Sequence, residues 1–245
     1  MSKPANPTIL TKKSVAMQRL SDAVNHGYSH YTSGSVGVDR LQRLVRKFDL
    51  LYQPFSSRNV RARRKAAKLG NAEFILWLHD GIIYWWLMVT PPQKGEHPAH
   101  ANEKLQFALG RSGRIALDGF ELVLLPRKEN KRFPVKSRTH PPKPTRLTWR
   151  MTAETYHDWR EAIIATVRSR AAYRMHTMLC QLYTYPGFGE IRSQIGKLAA
   201  LYKAEVKRAC ISDAPKPPKH LGYIRRLRHD GVSMLQLTSQ LKTVQ

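Results

Sequence analysis

Between Ser57 and Gly70 the chain carries Arg58, Arg61, Arg63, Arg64, Lys65 and Lys68 and no acid. Arg58, Arg61, Lys65 and Lys68 follow steps of three and four residues, so a helix places them on one face with Arg64 beside them. Alone, such a face repels itself; against phosphates it becomes a ladder of donors. Arginine suits that role because its planar fork pairs with phosphate through two hydrogen bonds. The bland alternative is a solvated surface helix, and the absence of any acid in the run argues against it.

Two further basic stretches follow. Residues 127–150 include Lys128, Lys131, Arg132, Lys136 and Arg138 among prolines, which make either an extended, semi-rigid ribbon suited to following a phosphate backbone or simply a solvated basic loop. Near the end, Tyr223 stands beside Arg225, Arg226 and Arg228; its ring could stack on a base, although packing is the commoner role of a lone tyrosine.

Other chemistries fit less well. His97-Pro-Ala-His100 and His176-x3-Cys180 have ligand spacing, but nothing in the sequence joins the pairs, and surface histidines with a core thiol account for them. Asp118 followed by Glu129-Asn130-Lys131 loosely matches a metal-dependent nuclease, yet Asp118 already has a role in a turn. Neither a Gly-x4-Gly-Lys phosphate loop nor a Gly-x-Ser-x-Gly elbow occurs. RNA cleavage without a metal needs only a set of His, Tyr, Lys or Arg near a 2′-hydroxyl, a requirement many chains meet. No catalytic residue, metal ligand or cofactor is assigned.

The composition agrees with a polyanionic partner. Across 245 residues, 42 Lys and Arg face 17 Asp and Glu, a net charge of +25. Such an imbalance opposes compaction, so its usual reason is DNA or RNA, whose counterions are released on binding. At 42% hydrophobic residues the chain can still bury a core. Two cysteines, Cys180 and Cys210, make no disulfide framework. No apolar run is long enough to span a membrane, and residues 1–10 lack the apolar centre of a signal peptide; the expected setting is the bacterial cytoplasm, with no membrane partner.

The elements that must hold these basic groups centre on residues 72–90. Two apolar, aromatic runs flank Asp80-Gly81, a strong two-residue hairpin signal. It opposes His79 to Ile82, Trp77 to Tyr84 and Phe74 to Leu87, and leaves both faces apolar, as in a hairpin covered on both sides. Core packing is therefore expected for Trp77, Tyr84, Trp85 and Trp86 rather than exposed stacking. Asp118-Gly119 marks a second hairpin, with Ile115, Leu117, Phe120, Leu122 and Leu124 on one face. Residues 146–151 alternate as a further strand.

Helical spacing predicts helices over 12–25, 38–52, 57–69, about 101–109, 152–168, 171–183 and 189–209; Gly70 is expected to end the third, and 28–37 reads as a turn-rich loop. The expected class is α+β: N-terminal helices, a central antiparallel sheet of two Asp-Gly hairpins plus a strand, and a C-terminal three-helix part. The expected regions are a helical basic 1–70, a sheet core 71–151 with a basic loop, a helical 152–210, and a basic linker and tail 211–245.

The function expected is a basic nucleic-acid-binding accessory protein of a nucleoprotein assembly, with other protein subunits as partners. DNA binding in replication, transfer or recombination of a bacterial mobile element comes first. The alternative is an RNA-binding subunit or metal-free ribonuclease of an RNA-guided or RNA-processing complex, and a third reading is a structural ribonucleoprotein component.

Overall fold

The computed structural model describes residues 5–91, 97–127, 145–228 and 230–242. In chain order the elements are β1 (Thr8–Leu10), α1 (Lys13–Asn25), β2 (His30–Gly37), α2 (Val38–Tyr52), α3 (Arg58–Ala66), β3 (Ala72–His79), β4 (Ile82–Val89) and α4 (Pro98–Asn102). They continue through β5 (Gln106–Phe107), β6 (Ala116–Leu117), β7 (Phe120–Pro126), β8 (Thr145–Met151), α5 (Ala153–Arg168), α6 (Ala172–Leu182), α7 (Gly189–Arg208), β9 (Gly231–Ser233) and α8 (Met234–Lys242). Helices and strands are mixed, as the sequence predicts. Contacts divide the chain into two compact units, Met1–Arg114 with Arg226–Gln245, and Ile115–Arg225.

The first unit is built on the β3–β4 hairpin. Asp80 (φ 48°) and Gly81 (φ 75°) both take positive φ, the geometry that matches strand twist in a two-residue turn. The register is the expected one, from His79 opposite Ile82 to Phe74 opposite Leu87. On one face Phe74, Leu76, Ile83 and Leu87 pack against Leu41, Val45, Phe48 and Tyr52 of α2. These four recur at helical spacing, and α2 stops where Gln53 turns left-handed ahead of Pro54. On the other face Ile75, Trp77, Trp86 and Met88 are buried, and α1 packs against β3.

Two departures from the sequence reading follow from non-local pairing. Residues 30–37 form a strand rather than a loop, and β2 pairs with the whole length of β4. Gly34 permits this, because a Cβ there would lie 2.7 Å from Cζ2 of the Trp85 indole. The sheet order is β5-β2-β4-β3-β1-β9, with β1 parallel to β3, so the sheet is mixed rather than antiparallel. The predicted helix at 101–109 lies earlier, at Pro98–Asn102, where Pro98 suits a first helical position and the His97 side chain caps the end.

The second hairpin belongs to the other unit, so there is no single central sheet. Asp118 (φ 42°) and Gly119 (φ 78°) repeat the turn, and β6-β7-β8 form a separate three-stranded sheet. Ile115, Leu117, Phe120 and Leu122 are buried as expected, while Leu124 is exposed. Thr152 caps α5 by accepting from the Thr155 N–H at 3.2 Å. Trp149 lies fully buried in this unit. In the tail, β9 pairs with β1, and Met234 of α8 enters the first unit's core.

His97 supplies a pH-sensitive point in that first unit. It is buried; its Nε2 donates to the Tyr52 carbonyl at 3.1 Å, and its Nδ1 accepts from the Ala99 N–H at 3.3 Å. That pattern uses the neutral ring. Burial is the main force pushing its pKa down, Arg64 and His100 add to it, and the Tyr52 carbonyl opposes it. Below the ordinary imidazole range the unfolded ring takes up a proton that the folded ring refuses, so stability is lost as pH falls through that range. The midpoint of thermal unfolding is expected to drop between about pH 7.5 and about pH 5.5, and His97→Gln to flatten the drop. An unchanged slope in the variant would assign the acid sensitivity elsewhere.

Candidate nucleic-acid interface

The basic helix forms where expected. Ser57 caps α3 by accepting from the Val60 N–H at 3.4 Å. Its end differs from the expected stop at Gly70. Lys68 (φ 59°) takes the left-handed position, while Leu69 N–H bonds the Arg64 carbonyl and Lys68 N–H bonds the Lys65 carbonyl. Gly70 instead serves close packing, since a Cβ there would meet His97 Cβ at 2.6 Å. Because the helix stops at Ala66, Lys68 is not part of its face but sits in the turn that follows.

No residue of α3 is buried, so the helix gives little to the core. Arg58, Arg63, Lys65 and Lys68 are exposed, and among the described residues no carboxylate lies within ion-pair distance of them. Arg61 and Arg64 differ. Arg64 donates to the Gln53 side chain at 3.4 Å. Arg61 turns toward the sheet, with its guanidinium 3.9 Å from the Glu73 carboxylate and its carbonyl accepting from Asn71 Nδ2 at 3.2 Å. Asn71 in turn exchanges backbone and side-chain bonds with Thr90, which fixes the helix to the open end of the β3–β4 hairpin.

Beneath the helix lies a groove of about 680 Å³, lined by His26, Tyr28, Arg58, Arg61, Lys65 and Glu73 among others. The end of α1 supplies His26 and Tyr28. There Gly27 (φ 99°) closes the helix, with Tyr28 N–H bonded to the Ala23 carbonyl and Gly27 N–H to that of Val24. That closing turn places the imidazole and the phenol on either side of the glycine. Burial pushes the Tyr28 phenol above its usual range, against the pull of Arg61. Burial likewise raises the Glu73 carboxyl, and nearby Asp22 adds to it; Arg61, His26 and Arg19 work the other way. Sequence reasoning missed His26, Tyr28 and Glu73. The available signal was Glu73 itself, an acid at the start of an otherwise apolar strand directly after the basic helix.

The other candidates are not gathered at this groove. Lys128, Lys131, Arg132, Lys136 and Arg138 lie outside the described residues, as do Glu129 and Asn130. Arg225, Arg226 and Arg228 are exposed, but Arg226 holds both oxygens of Asp22, at 2.7 and 2.6 Å, which engages it in structure. Tyr223 carries the Arg192 guanidinium 3.4 Å from its ring centroid, so one ring face is already covered.

Metal ligation finds no cluster. Among the described residues no three His, Cys, Asp or Glu side chains gather at ligand spacing. His97 is buried rather than on the surface, His100 is bonded to the Thr90 carbonyl, and Cys180 is exposed beside His176 rather than a core thiol. No helix among the described residues is long and apolar enough to cross a membrane. No protein-family model, no curated protein and no solved structure matches this chain, which leaves the basic helix and its groove to speak for function.

Proposed function

We propose that the protein binds nucleic acid through its phosphates, along the exposed side of α3, as an accessory component of a nucleoprotein assembly that includes other protein subunits. The observation that carries this is the set Arg58, Arg63 and Lys65 on a helix with no fully buried residue, with Lys68 in the turn that follows, all four exposed and without a carboxylate partner among the described residues. A stability role does not explain such a helix, because its cations repel one another and pack against no core. DNA, in replication, transfer or recombination of a bacterial mobile element, is the first form of this reading. The groove that sets His26, Tyr28 and Glu73 beside the helix favours a second form, in which the partner is RNA.

Binding of fluorescent duplex DNA, single-stranded DNA and hairpin RNA across a salt series tests the proposal. Four phosphate contacts would give a log–log salt slope of about −3 to −4 on a duplex. A clear preference for RNA selects the second form; no binding to any of the three sinks both.

A further inference from the structure

We propose that the groove beneath α3 cleaves RNA, with the RNA's own 2′-hydroxyl as nucleophile, Glu73 as the base that takes its proton and His26 as the acid that protonates the leaving oxygen. This rests on the reading of α3 as a phosphate-binding helix and adds a reaction to it.

The argument starts from what the groove holds. Arg58 and Lys65 reach it from α3 with no carboxylate partner among the described residues, so a phosphodiester seated there meets two cations. A carboxylate would ordinarily be excluded from such a place, since it repels the phosphate it faces. Glu73 is nevertheless present at the groove wall, half-exposed, with Arg61 3.9 Å away to offset its charge. His26, held by the turn at Gly27, lines the same groove. A carboxylate and an imidazole that line one groove with two such cations can serve as an acid–base pair.

Such a pair suits the reaction in which the nucleophile is already attached to the substrate. In RNA the 2′-oxygen lies next to the phosphorus, so proximity supplies much of the rate and the protein needs only to move two protons. The 2′-hydroxyl proton passes to a Glu73 oxygen as the 2′-O–P bond forms. The P–O5′ bond breaks, and the 5′-oxygen takes a proton from the His26 imidazolium. The products are a 2′,3′-cyclic phosphate and a 5′-hydroxyl, with atoms and charge balanced. Arg58 and Lys65 hold the phosphate and meet the charge that builds on its oxygens. Arg61, fixed by Glu73 and Asn71, is a positioning residue that aims the carboxylate. Burial, which raises the Glu73 carboxyl, makes it a stronger base than a solvated one. DNA lacks the 2′-hydroxyl and is bound uncut.

The test uses the full chain in EDTA with a pool of short RNAs of random sequence beside a constant hairpin. New ends are read by their 2′,3′-cyclic phosphates. Cleavage is expected, with a rate that falls at acid pH as Glu73 protonates. Glu73→Gln and His26→Ala are each expected to slow it by about 10²–10⁴-fold at saturating RNA. His26 is exposed and Gln matches Glu in shape, so both variants should fold, which the unfolding midpoint verifies. Glu73→Gln should also remove the acid limb of the pH profile, a change that a mere strut between α3 and β3 would not produce. RNA bound without cyclic ends, or cleavage that survives both variants, overturns this inference and leaves the binding proposal intact. Absence of binding to RNA and DNA alike removes both.

Discussion

Reversing three charges on α3, as Arg58→Glu, Arg63→Glu and Lys65→Glu together, is expected to weaken nucleic-acid binding by about 100-fold or more near physiological salt. The log–log salt slope should fall by about 2–3, because each phosphate left without its cation keeps close to one counterion that binding would have released. The unfolding midpoint should hardly move. These side chains are exposed and α3 has no buried residue, so nothing of the core is disturbed, and surface changes of this kind stay within about 0.5 kcal/mol each. Arg61 makes the informative contrast. Arg61→Glu would set a second carboxylate against half-buried Glu73 and remove its nearest cation, so it should lower stability as well as affinity. Unchanged affinity in the triple variant would place the binding surface elsewhere.

What the sequence revealed, and what it hid, divides by distance along the chain. The helix α2, the cap at Ser57 and the two Asp-Gly turns depend on residues a few places apart, and their signals are local. The register of the first hairpin follows from its turn alone. The strand β2 was hidden because Ser33, Gly34, Ser35 and Gly37 are turn-forming residues; they are tolerated in a strand only because β4 lies alongside and the Trp85 indole crosses at Gly34. Strands of three residues, β1 and β9, are too short to show alternation. The division of the two hairpins between separate sheets is set by pairing over long separations, which no window of sequence contains. The groove is of the same kind. Arg58, Arg61 and Lys65 were legible as a basic helix, but their inward and outward roles were not. Those roles are decided by Glu73, twelve residues beyond Arg61, and by the closing turn of α1.

Phe48→Ala is expected to be the most damaging single change in the first unit, costing about 3–5 kcal/mol. Phe48 is 2% exposed and sits where α2 meets the hairpin. Its ring lies 5.1 Å from that of Phe74 at 75° and 5.3 Å from that of Trp85 at 80°, both edge-to-face, and 5.5 Å from Tyr52. Truncation therefore removes apolar burial, leaves a cavity that three large rings cannot easily fill, and forfeits oriented ring pairings worth about 0.5–1.5 kcal/mol each. For a unit of this size the midpoint should drop by about 8–15 °C. Phe48→Leu, which keeps most of the volume, should cost clearly less. The same variant separates scaffold from site. Below its lowered midpoint, Phe48→Ala retains α3 with its cations and should bind nucleic acid within a few-fold of the parent, whereas the charge-reversed protein stays folded and does not bind. If Phe48→Ala lowered the midpoint by less than about 2 °C, the aromatic cluster would not be the joint that fixes α2 to the sheet.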